Sequence, residues 1–172
     1  MICPDCHTDN VDGVDTCVNC GQDLSNLDLP SPDSEFEEHL MSDQLAAVGG
    51  KETPSVAPGD PVYRAIHLMQ RRGVECVLVK EGGRVVGILT ERDILMKAVG
   101  DNVDLNAVRV SGLMTPDPVM LRDEDTVAVA LHKMSVGGFR HIPLVTRDHD
   151  PLVVSIQDVF RHISAYIPQS AS

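Results

Sequence analysis

The spacing of the apolar residues between positions 85 and 95 changes at Thr90. Residues 85–89 form a continuous apolar run, whereas Ile94 and Leu95 resume after a polar stretch. A short apolar run is typical of a buried strand, and spacing of three or four residues is typical of an amphipathic helix. The pattern therefore predicts a strand that ends near Thr90 and a helix that follows it.

The same pattern returns 65 positions later, so the chain contains an internal repeat. Residues 152–160 align with residues 87–95, so that Ser155 aligns with Thr90 and Asp158 with Asp93. Upstream, the same shift matches seven further pairs: Asp60 with Asp125, Val62 with Val127, Ala65 with Ala130, Ile66 with Leu131, Met69 with Met134, Gly73 with Gly138 and Val77 with Ile142. A fixed offset predicts two copies of one unit, each burying its apolar face against the other.

Turn signals divide each copy into strands and helices. The first copy is expected to contain strands at 55–57, 74–79 and 85–89 and a helix from 61 to Gly73. The second copy is expected to contain strands at 120–122, 139–145 and 152–154 and helices at 125–134 and 155–163. The expected fold class is mixed α/β (α+β), with the order β-α-β-β-α in each copy.

Four cysteines near the N-terminus have the spacing of a structural metal site. Cys3 and Cys6 form one C-x2-C pair, and Cys17 and Cys20 form another. Four thiolates on two tight turns can hold a tetrahedral ion, and such a site is structural because protein supplies every ligand. A segment this poor in apolar side chains depends on the ion for its folding. Zn(II) is the expected ion; iron is the minority alternative, and two disulfides are a weaker one in a reducing cytoplasm.

Acidic residues are concentrated in the N-terminal part of the chain. Residues 1–50 hold 11 Asp and Glu and no Lys or Arg, whereas the remainder holds 15 acids and all 14 bases. This distribution argues against nucleic-acid binding, which needs a basic face, and suits a basic surface on a protein partner. We find no apolar run long enough for a membrane span and no signal-peptide pattern, so we expect a cytoplasmic protein without membrane contact.

These patterns divide the chain into five segments. They are a four-Cys ribbon at 1–23, an acidic linker with the start of a helix at 24–38, a first repeat at 39–104, a second repeat at 105–166 and a disordered tail at 167–172. The hydrophobic content of 42% supports a packed core, and the aromatic content of 3% predicts that this core is aliphatic.

Several of these segments together resemble the tandem CBS-domain pair, or Bateman module. They are residues 87–93 and 155–158, the segment 113–116 ahead of the second copy, and residues 139–145. A four-Cys ribbon ahead of a CBS pair is also similar to an arrangement found in bacterial stand-alone CBS proteins. The resemblance covers about residues 39–165. It implies two repeats packed about a pseudo-twofold axis, homodimerisation through the CBS helices, and two clefts that bind adenosine compounds such as AMP, ADP, ATP or S-adenosylmethionine.

The resemblance also implies roles for individual residues. Asp93 and Asp158 would hold ribose hydroxyls, and Thr90 and Ser155 would meet a phosphate at a helix start, where unpaired N–H groups favour an anion. The remaining implied ligand contacts are Arg140 and His141 at phosphate and Val56, Ala57, Met120 and Leu121 around adenine.

Simpler explanations exist for the same residues. Both [ST]-x-x-Asp motifs fit a capping box that satisfies helix-start N–H groups without any ligand. The basic pair Arg140-His141 also fits a solvated strand end. Leu152 stands where the first repeat has Gly87, and its side chain would crowd one cleft. Pro151 predicts that the following strand is short or lies at a sheet edge.

The sequence therefore predicts a non-enzymatic regulatory protein that senses an adenosine compound. It contains no nucleophile elbow, no glycine loop with a phosphate-binding lysine and no open three-ligand metal motif. The alternative is a structural adaptor, in which the CBS pair only dimerises and the ribbon docks a partner protein. A third hypothesis is a redox sensor in which loss of the metal reports oxidation.

Overall fold

The structure is a computed structural model that describes residues 1–11, 13–25, 34–98, 104–145 and 151–167. It divides into two units, Met1–Ser34 and Glu35–Ser172. Much of the expected linker, and residues 168–172 of the expected tail, lie outside the described residues.

The N-terminal unit consists of two knuckles that follow the same backbone course. In the first, His7 N donates a hydrogen bond to Cys3 O at 3.0 Å; in the second, Gly21 N donates to Cys17 O at 3.0 Å. The backbone is left-handed at both turns, with φ of +56° at His7 and +73° at Gly21. Glycine adopts this conformation without a steric cost, so its presence at the second turn has a direct physical reason.

The second unit contains seven helices and eight strands within its described residues. They are α1 Glu35–Ser42, α2 Leu45–Val48, β1 Lys51–Glu52, β2 Ser55–Val56, α3 Val62–Arg72, β3 Cys76–Glu81, β4 Arg84–Thr90, α4 Glu91–Ala98, α5 Val110–Leu113, β5 Thr115–Pro116, β6 Leu121–Arg122, α6 Val127–Gly137, β7 His141–Val145, β8 Leu152–Ser155 and α7 Ile156–Ser164.

Two four-stranded sheets lie at the centre of this unit. The first has the order β2-β3-β4-β5 and the second the order β1-β8-β7-β6. Strand β2 pairs in parallel with β3, and β6 with β7, whereas all other neighbours are antiparallel. Strand β5 leads into the second repeat but pairs with β4, and β1 leads into the first repeat but pairs with β8. Each sheet therefore takes one of its two outer strands from the opening segment of the other repeat.

Two aliphatic cores follow the same repeat. The core of the first sheet contains Val56, Val62, Ala65, Met69, Val77, Val79, Leu89, Val110 and Leu113. The core of the second contains Leu45, Leu121, Val127, Ala130, Met134, Ile142, Leu144, Val154, Val159 and Ile163. The apolar pairs matched by the 65-residue shift occupy equivalent places in these cores, so the internal repeat is confirmed. Burial of these side chains is the main stabilising contribution to both lobes.

A third, smaller core joins the two sheets. Cys76 and Leu78 of β3 and Ile88 of β4 pack with Val153 of β8. Because this core contains residues of both repeats, the two lobes form one unit. The cleft residues described below lie at the ends of these strands.

Strand β8 departs from one expectation. Pro151 predicted a strand that is short or lies at an edge, and β8 is indeed short, with four residues against seven in β4. It lies inside its sheet, however, because β1 pairs along its outer side, with Lys51 opposite Val153. Pro151 precedes the first paired residue, so its missing N–H removes no hydrogen bond from the sheet.

Candidate functional site

Asp93 caps the start of α4 and also faces the segment ahead of the second repeat. Its Oδ2 accepts hydrogen bonds from Thr90 N at 3.1 Å and Thr90 Oγ1 at 2.6 Å, and its own N–H donates to Thr90 Oγ1 at 3.2 Å. Its Oδ1 accepts from Lys97 Nζ at 3.0 Å and Thr115 Oγ1 at 3.3 Å. Burial raises the pKa of Asp93, but the hydrogen bonds from Thr90 and Lys97 outweigh burial and lower it overall.

Asp158 repeats this cap at the start of α7. Its Oδ2 accepts hydrogen bonds from Ser155 N at 3.0 Å and Ser155 Oγ at 2.5 Å. Its Oδ1 accepts from Arg161 Nη1 at 3.1 Å and lies 3.4 Å from Lys51 Nζ. Burial raises the pKa of Asp158, but the hydrogen bonds from Ser155 and the charge of Lys51 outweigh it and lower the pKa overall. Both motifs therefore form capping interactions, and the space beside them distinguishes one from the other.

A cavity of about 630 Å³ lies between the two repeats beside Asp93, and we call it the main cavity. Its volume is within the usual range for small-molecule sites. Its polar lining includes Thr90 and Asp93 at the start of α4, Thr115 in β5, and Arg140 and His141 at the start of β7. Its apolar lining includes Ile88, Met96, Val119 and Phe139. The cavity thus combines apolar walls with a few convergent polar groups from both repeats.

The equivalent space beside Asp158 is far smaller, and we call it the small cavity. It measures about 40 Å³, roughly the volume that one water molecule occupies in the liquid. Several of its lining residues are the 65-residue counterparts of the main cavity's lining: Asp158 for Asp93, Glu75 for Arg140, and Cys76 for His141. Lys51 also lines it and contacts Asp158. The two clefts of the repeat are therefore unequal.

Leu152 does not account for this inequality in the way the sequence suggested. Leu152 does not line the small cavity; its side chain packs on Gly50, where an added Cβ would lie 2.6 Å from Leu152 Cβ. In the first repeat the corresponding glycine is Gly87 of β4, where an added Cβ would lie 2.6 Å from Met114 Sδ. Each strand pair therefore keeps one glycine for close approach. Lys51 is the residue that enters the small cavity.

The structure brings together five of the ten residues expected to bind ligand. Thr90, Asp93, Arg140, His141 and Ser155 line the main cavity. The other five lie elsewhere: Asp158 lines the small cavity, Val56 and Leu121 are buried in the two cores, and Ala57 and Met120 line neither cavity.

Sequence reasoning missed the wall that Thr115, Asp117, Pro118 and Val119 form in the main cavity. The segment 113–116 stood out in the sequence only as a family motif. Its place beside Asp93 follows from the pairing of β5 with β4, which no local pattern predicts.

The N-terminal unit brings its four cysteines together. All four Sγ atoms lie within 4.8 Å of one another, with Cys3 Sγ 3.6 Å from Cys20 Sγ and Cys6 Sγ 3.5 Å from Cys17 Sγ. Tetrahedral coordination with metal–sulfur bonds of about 2.3 Å separates the sulfurs by about 3.8 Å. The four cysteines can therefore hold a metal ion with little rearrangement.

Two neighbouring residues support the thiolates. The side chain of Thr8 lies 3.3 Å from Cys6 Sγ and, together with hydrogen bonds from the Thr8 backbone and Asn19, lowers the pKa of the Cys6 thiol to about 5, which favours the deprotonated form that binds metal. The buried Asn10 donates to Cys17 Sγ at 3.6 Å and accepts from Val18 N at 3.0 Å, so one amide links the two knuckles. Such contacts orient metal ligands.

Comparison with known proteins shows the family. The model of the CBS domain matches residues 39–100 and again residues 110–165. The chain belongs to the CBS-domain family. The tandem CBS fold inferred from the repeated motifs is thus confirmed. In this CBS pair the main cavity lies between the two matched segments.

Relatives of this CBS pair occur in plants. A CBS domain-containing protein of Arabidopsis thaliana is 37% identical over 134 residues, which cover 77% of this chain and 25% of the relative. A mitochondrial CBS domain-containing protein of the same plant is 27% identical over 158 residues, covering 87% of this chain and 77% of the relative. The chain spans a quarter or less of the length of the first curated relatives that it matches.

Solved structures share the CBS fold. A CBS-domain protein from Agrobacterium tumefaciens is 27% identical, with a TM-score of 0.61 over 68% of this chain and 94% of that one. A CBS domain protein from Pyrobaculum aerophilum, solved in complex with AMP, is 22% identical, with a TM-score of 0.60 over 71% of this chain and 98% of that one. In the described part of our chain, none of the helices is both long and apolar enough to span a membrane.

Proposed function

We propose that this chain is a non-catalytic regulatory protein that senses an adenosine compound in its main cavity. The main support for this proposal is the 630 Å³ cavity, which is lined by Thr90 and Asp93 of one repeat and by Arg140 and His141 of the other. A ligand that fills it contacts both repeats and stabilises the packing in which those contacts form. A partner that distinguishes between the two packings would read this shift.

The lining suggests a role for each group of residues. The Asp93 carboxylate, held ionised by its hydrogen bonds, is suited to accept hydrogen bonds from ribose hydroxyls. Arg140, with Arg92 also in the lining, is suited to a phosphate. Phe139 and Val119 supply flat apolar surface for adenine.

The choice of adenosine compounds has support from a relative by fold. The Pyrobaculum aerophilum protein was solved with AMP, although at 22% identity it shares the fold alone. Because the two clefts differ in volume, the proposal also predicts the number of ligands that bind per chain. The main cavity can take a nucleoside, whereas the small cavity of about 40 Å³ cannot, so we expect one ligand per chain.

Calorimetric titration of the metal-loaded protein with AMP, ADP, ATP and S-adenosylmethionine tests this proposal. We expect binding of at least one compound with one site per chain. Arg140→Gln should weaken the phosphate-bearing compounds, whereas Arg122→Gln, on the other end of the second sheet, is the matched control. Absence of heat with all four compounds, from a protein shown to be folded, would overturn the proposal.

For the four cysteines we propose a structural Zn(II) ion. Cysteine thiolates in a tetrahedral set favour zinc over harder ions, and protein supplies all four ligands. Such thiolates persist in a reducing compartment, so we also propose a cytoplasmic location. Elemental analysis of the purified protein should find one zinc per chain; iron at one per chain would contradict the assignment.

We further propose that α4 and α7 form a homodimer interface. Leu95 and Phe160 occupy equivalent positions of the repeat and are 61% and 62% exposed. A patch built from equivalent positions about a pseudo-twofold axis is suited to pair with a copy of itself. Leu95→Glu with Phe160→Glu should yield a monomer by light scattering, whereas Val136→Glu, at a valine on α6 that is 76% exposed, should leave the dimer intact.

The second candidate function is a structural adaptor. The small volume of the second cleft favours it, because a cleft of that volume cannot bind a nucleoside. If neither cleft serves a ligand, the CBS pair only holds two chains together, and the ribbon would dock a basic protein surface. Replacing Cys3 and Cys6 with serine should then abolish capture of the partner, and added nucleotide should leave capture unchanged. If the chain is a sensor, added nucleotide should change capture of the partner.

A further inference from the structure

Glu75, an acidic residue, lines the main cavity, and the equivalent position of the second repeat is the basic Arg140. Glu75 is the 65-residue counterpart of Arg140. Their backbone oxygens accept equivalent hydrogen bonds. Glu75 O accepts one from Glu91 N at 3.0 Å, and Arg140 O accepts one from Ile156 N at 2.9 Å. The two positions thus have matched backbones and opposite side-chain charges.

Glu75 contacts the histidine that the family resemblance assigns to phosphate. His141 Nε2 lies 3.0 Å from Glu75 Oε2. A carboxylate only accepts hydrogen bonds, so Nε2 carries the proton and donates it to Glu75. Both residues line the main cavity and the small cavity, which places the pair between the two clefts. The Nε2 proton is therefore already engaged by an anion of the protein itself.

The remaining charges of the main cavity do not offset this acid. Four carboxylates line the cavity, Glu75, Glu91, Asp93 and Asp117, against Arg92, Arg140, His141 and the Lys97 ammonium that pairs with Asp93. A phosphate that approaches His141 must displace Glu75 or share the imidazole with it. Each added phosphate raises the negative charge of the ligand, so the electrostatic cost rises from nucleoside to triphosphate.

We propose that Glu75 sets the charge selectivity of the main cavity: it holds His141 and disfavours polyphosphates, so the chain prefers AMP to ATP. This inference rests on the proposed function, since it names the ligand class of the same cavity. Glu75 acts through charge and through His141 and is a specificity-determining residue.

The decisive variant is Glu75→Gln, which removes the charge and keeps the size. Titration with adenosine, AMP and ATP should show affinity for ATP rising about tenfold, affinity for AMP rising about threefold and affinity for adenosine unchanged. Glu75→Asp keeps the charge and should keep the wild-type ratio of ATP to AMP affinity. The Glu75→Gln effect should shrink in 1 M salt, where charges separated by more than about 3 Å are screened.

Glu81→Gln is the matched control for net charge. Glu81 ends β3, six residues beyond Glu75, and a strand of that length places it about 20 Å away. It should leave all three affinities unchanged. Introducing Glu75→Gln into a His141→Asn background should give a smaller gain for ATP than in the wild type, because part of the effect requires the imidazole.

The outcomes separate this inference from the proposed function. If wild type binds AMP but Glu75→Gln leaves the ratio of ATP to AMP affinity unchanged, Glu75 does not set selectivity, and the sensor proposal stands. Preference of wild type for ATP over AMP overturns the inference in the same way. If wild type binds none of the three compounds, this inference fails, and the sensor proposal fails with it only if ADP and S-adenosylmethionine also give no heat.

Discussion

Asp93 and Asp158 offer a matched pair for separating ligand binding from helix capping. Both carboxylates cap a helix start through a serine or threonine three residues earlier, and both contact a basic side chain. They differ in the space beside them, about 630 Å³ at Asp93 and about 40 Å³ at Asp158. The perturbation is replacement of each by asparagine, which keeps the size and removes the charge.

The two substitutions should cost similar stability. Each removes the carboxylate oxygen that accepts two hydrogen bonds at the helix start, for which we expect a loss of about 1 to 2 kcal/mol of unfolding free energy. The basic partners Lys97 and Arg161 are 41% and 69% exposed, so losing their ion pairs adds little. In a unit of this size, about 1 kcal/mol lowers the melting temperature by roughly 3 to 4 °C.

Only Asp93→Asn should change ligand affinity. A hydrogen bond to a charged group contributes about 1.5 to 3 kcal/mol, so losing the carboxylate at the ribose should weaken binding of AMP by about tenfold to a hundredfold. Asp158→Asn should bind AMP as the wild type does, because its cleft has no room for a nucleoside. Calorimetric titration measures the affinities, and thermal unfolding measures the cost to the fold.

Two results would refute this reasoning. Equal loss of affinity in both variants would show that the effect passes through the fold or that the small cavity opens to ligand. Unchanged affinity in Asp93→Asn, with the expected loss of stability, would show that the carboxylate only caps α4.

Three further predictions concern the fold and the metal. A strong zinc chelator should release the metal and unfold residues 1–25, seen as added protease cleavage there, while the melting temperature of the CBS pair stays within about 2 °C. Because the pKa of Asp93 and of Asp158 is lowered in the folded state, the stability they contribute is complete above the ordinary carboxyl pKa near 4 and is lost as pH falls below it; thermal unfolding should show a plateau from about pH 5 to 7 and a decline below about pH 4. Gly87→Ala should cost about 1 to 3 kcal/mol in denaturant unfolding because its Cβ would lie 2.6 Å from Met114 Sδ and 3.2 Å from the backbone oxygen of Thr115, whereas Gly59→Ala, with no atom within 4 Å of its Cβ, should cost almost nothing.

Local patterns were sufficient for the elements and for the repeat. The helix from Val62 and its counterpart from Val127 have apolar residues at helical spacing, and the two helices bury the matched residues in the two cores. Burial depends on which face of a helix is apolar, and periodicity reports that face. The four cysteines were predictable for a similar reason, because two tight turns fix each pair of thiolates locally.

The walls of the main cavity were not predictable in this way. The sequence suggested Val56 and Leu121 as ligand contacts, and the structure buries their side chains in the two cores; nothing in the sequence indicated that Asp117 and Val119 line the main cavity. The positions of these residues depend on β5 pairing with β4 across the repeat boundary. Such pairing joins residues distant in sequence, and no short-range pattern encodes it.

The sequence by itself determined the duplicated α/β unit, its aliphatic cores, the two capped helix starts and the four-Cys cluster, because each depends on residues close together in the chain. Only the tertiary structure decided that the two clefts differ. In the small cavity Lys51 reaches Asp158, and between the two clefts Glu75 contacts His141; both contacts join segments more than 60 residues apart. A repeated motif gives equal chemistry to both halves, and the long-range contacts around it determine which half has room for a ligand.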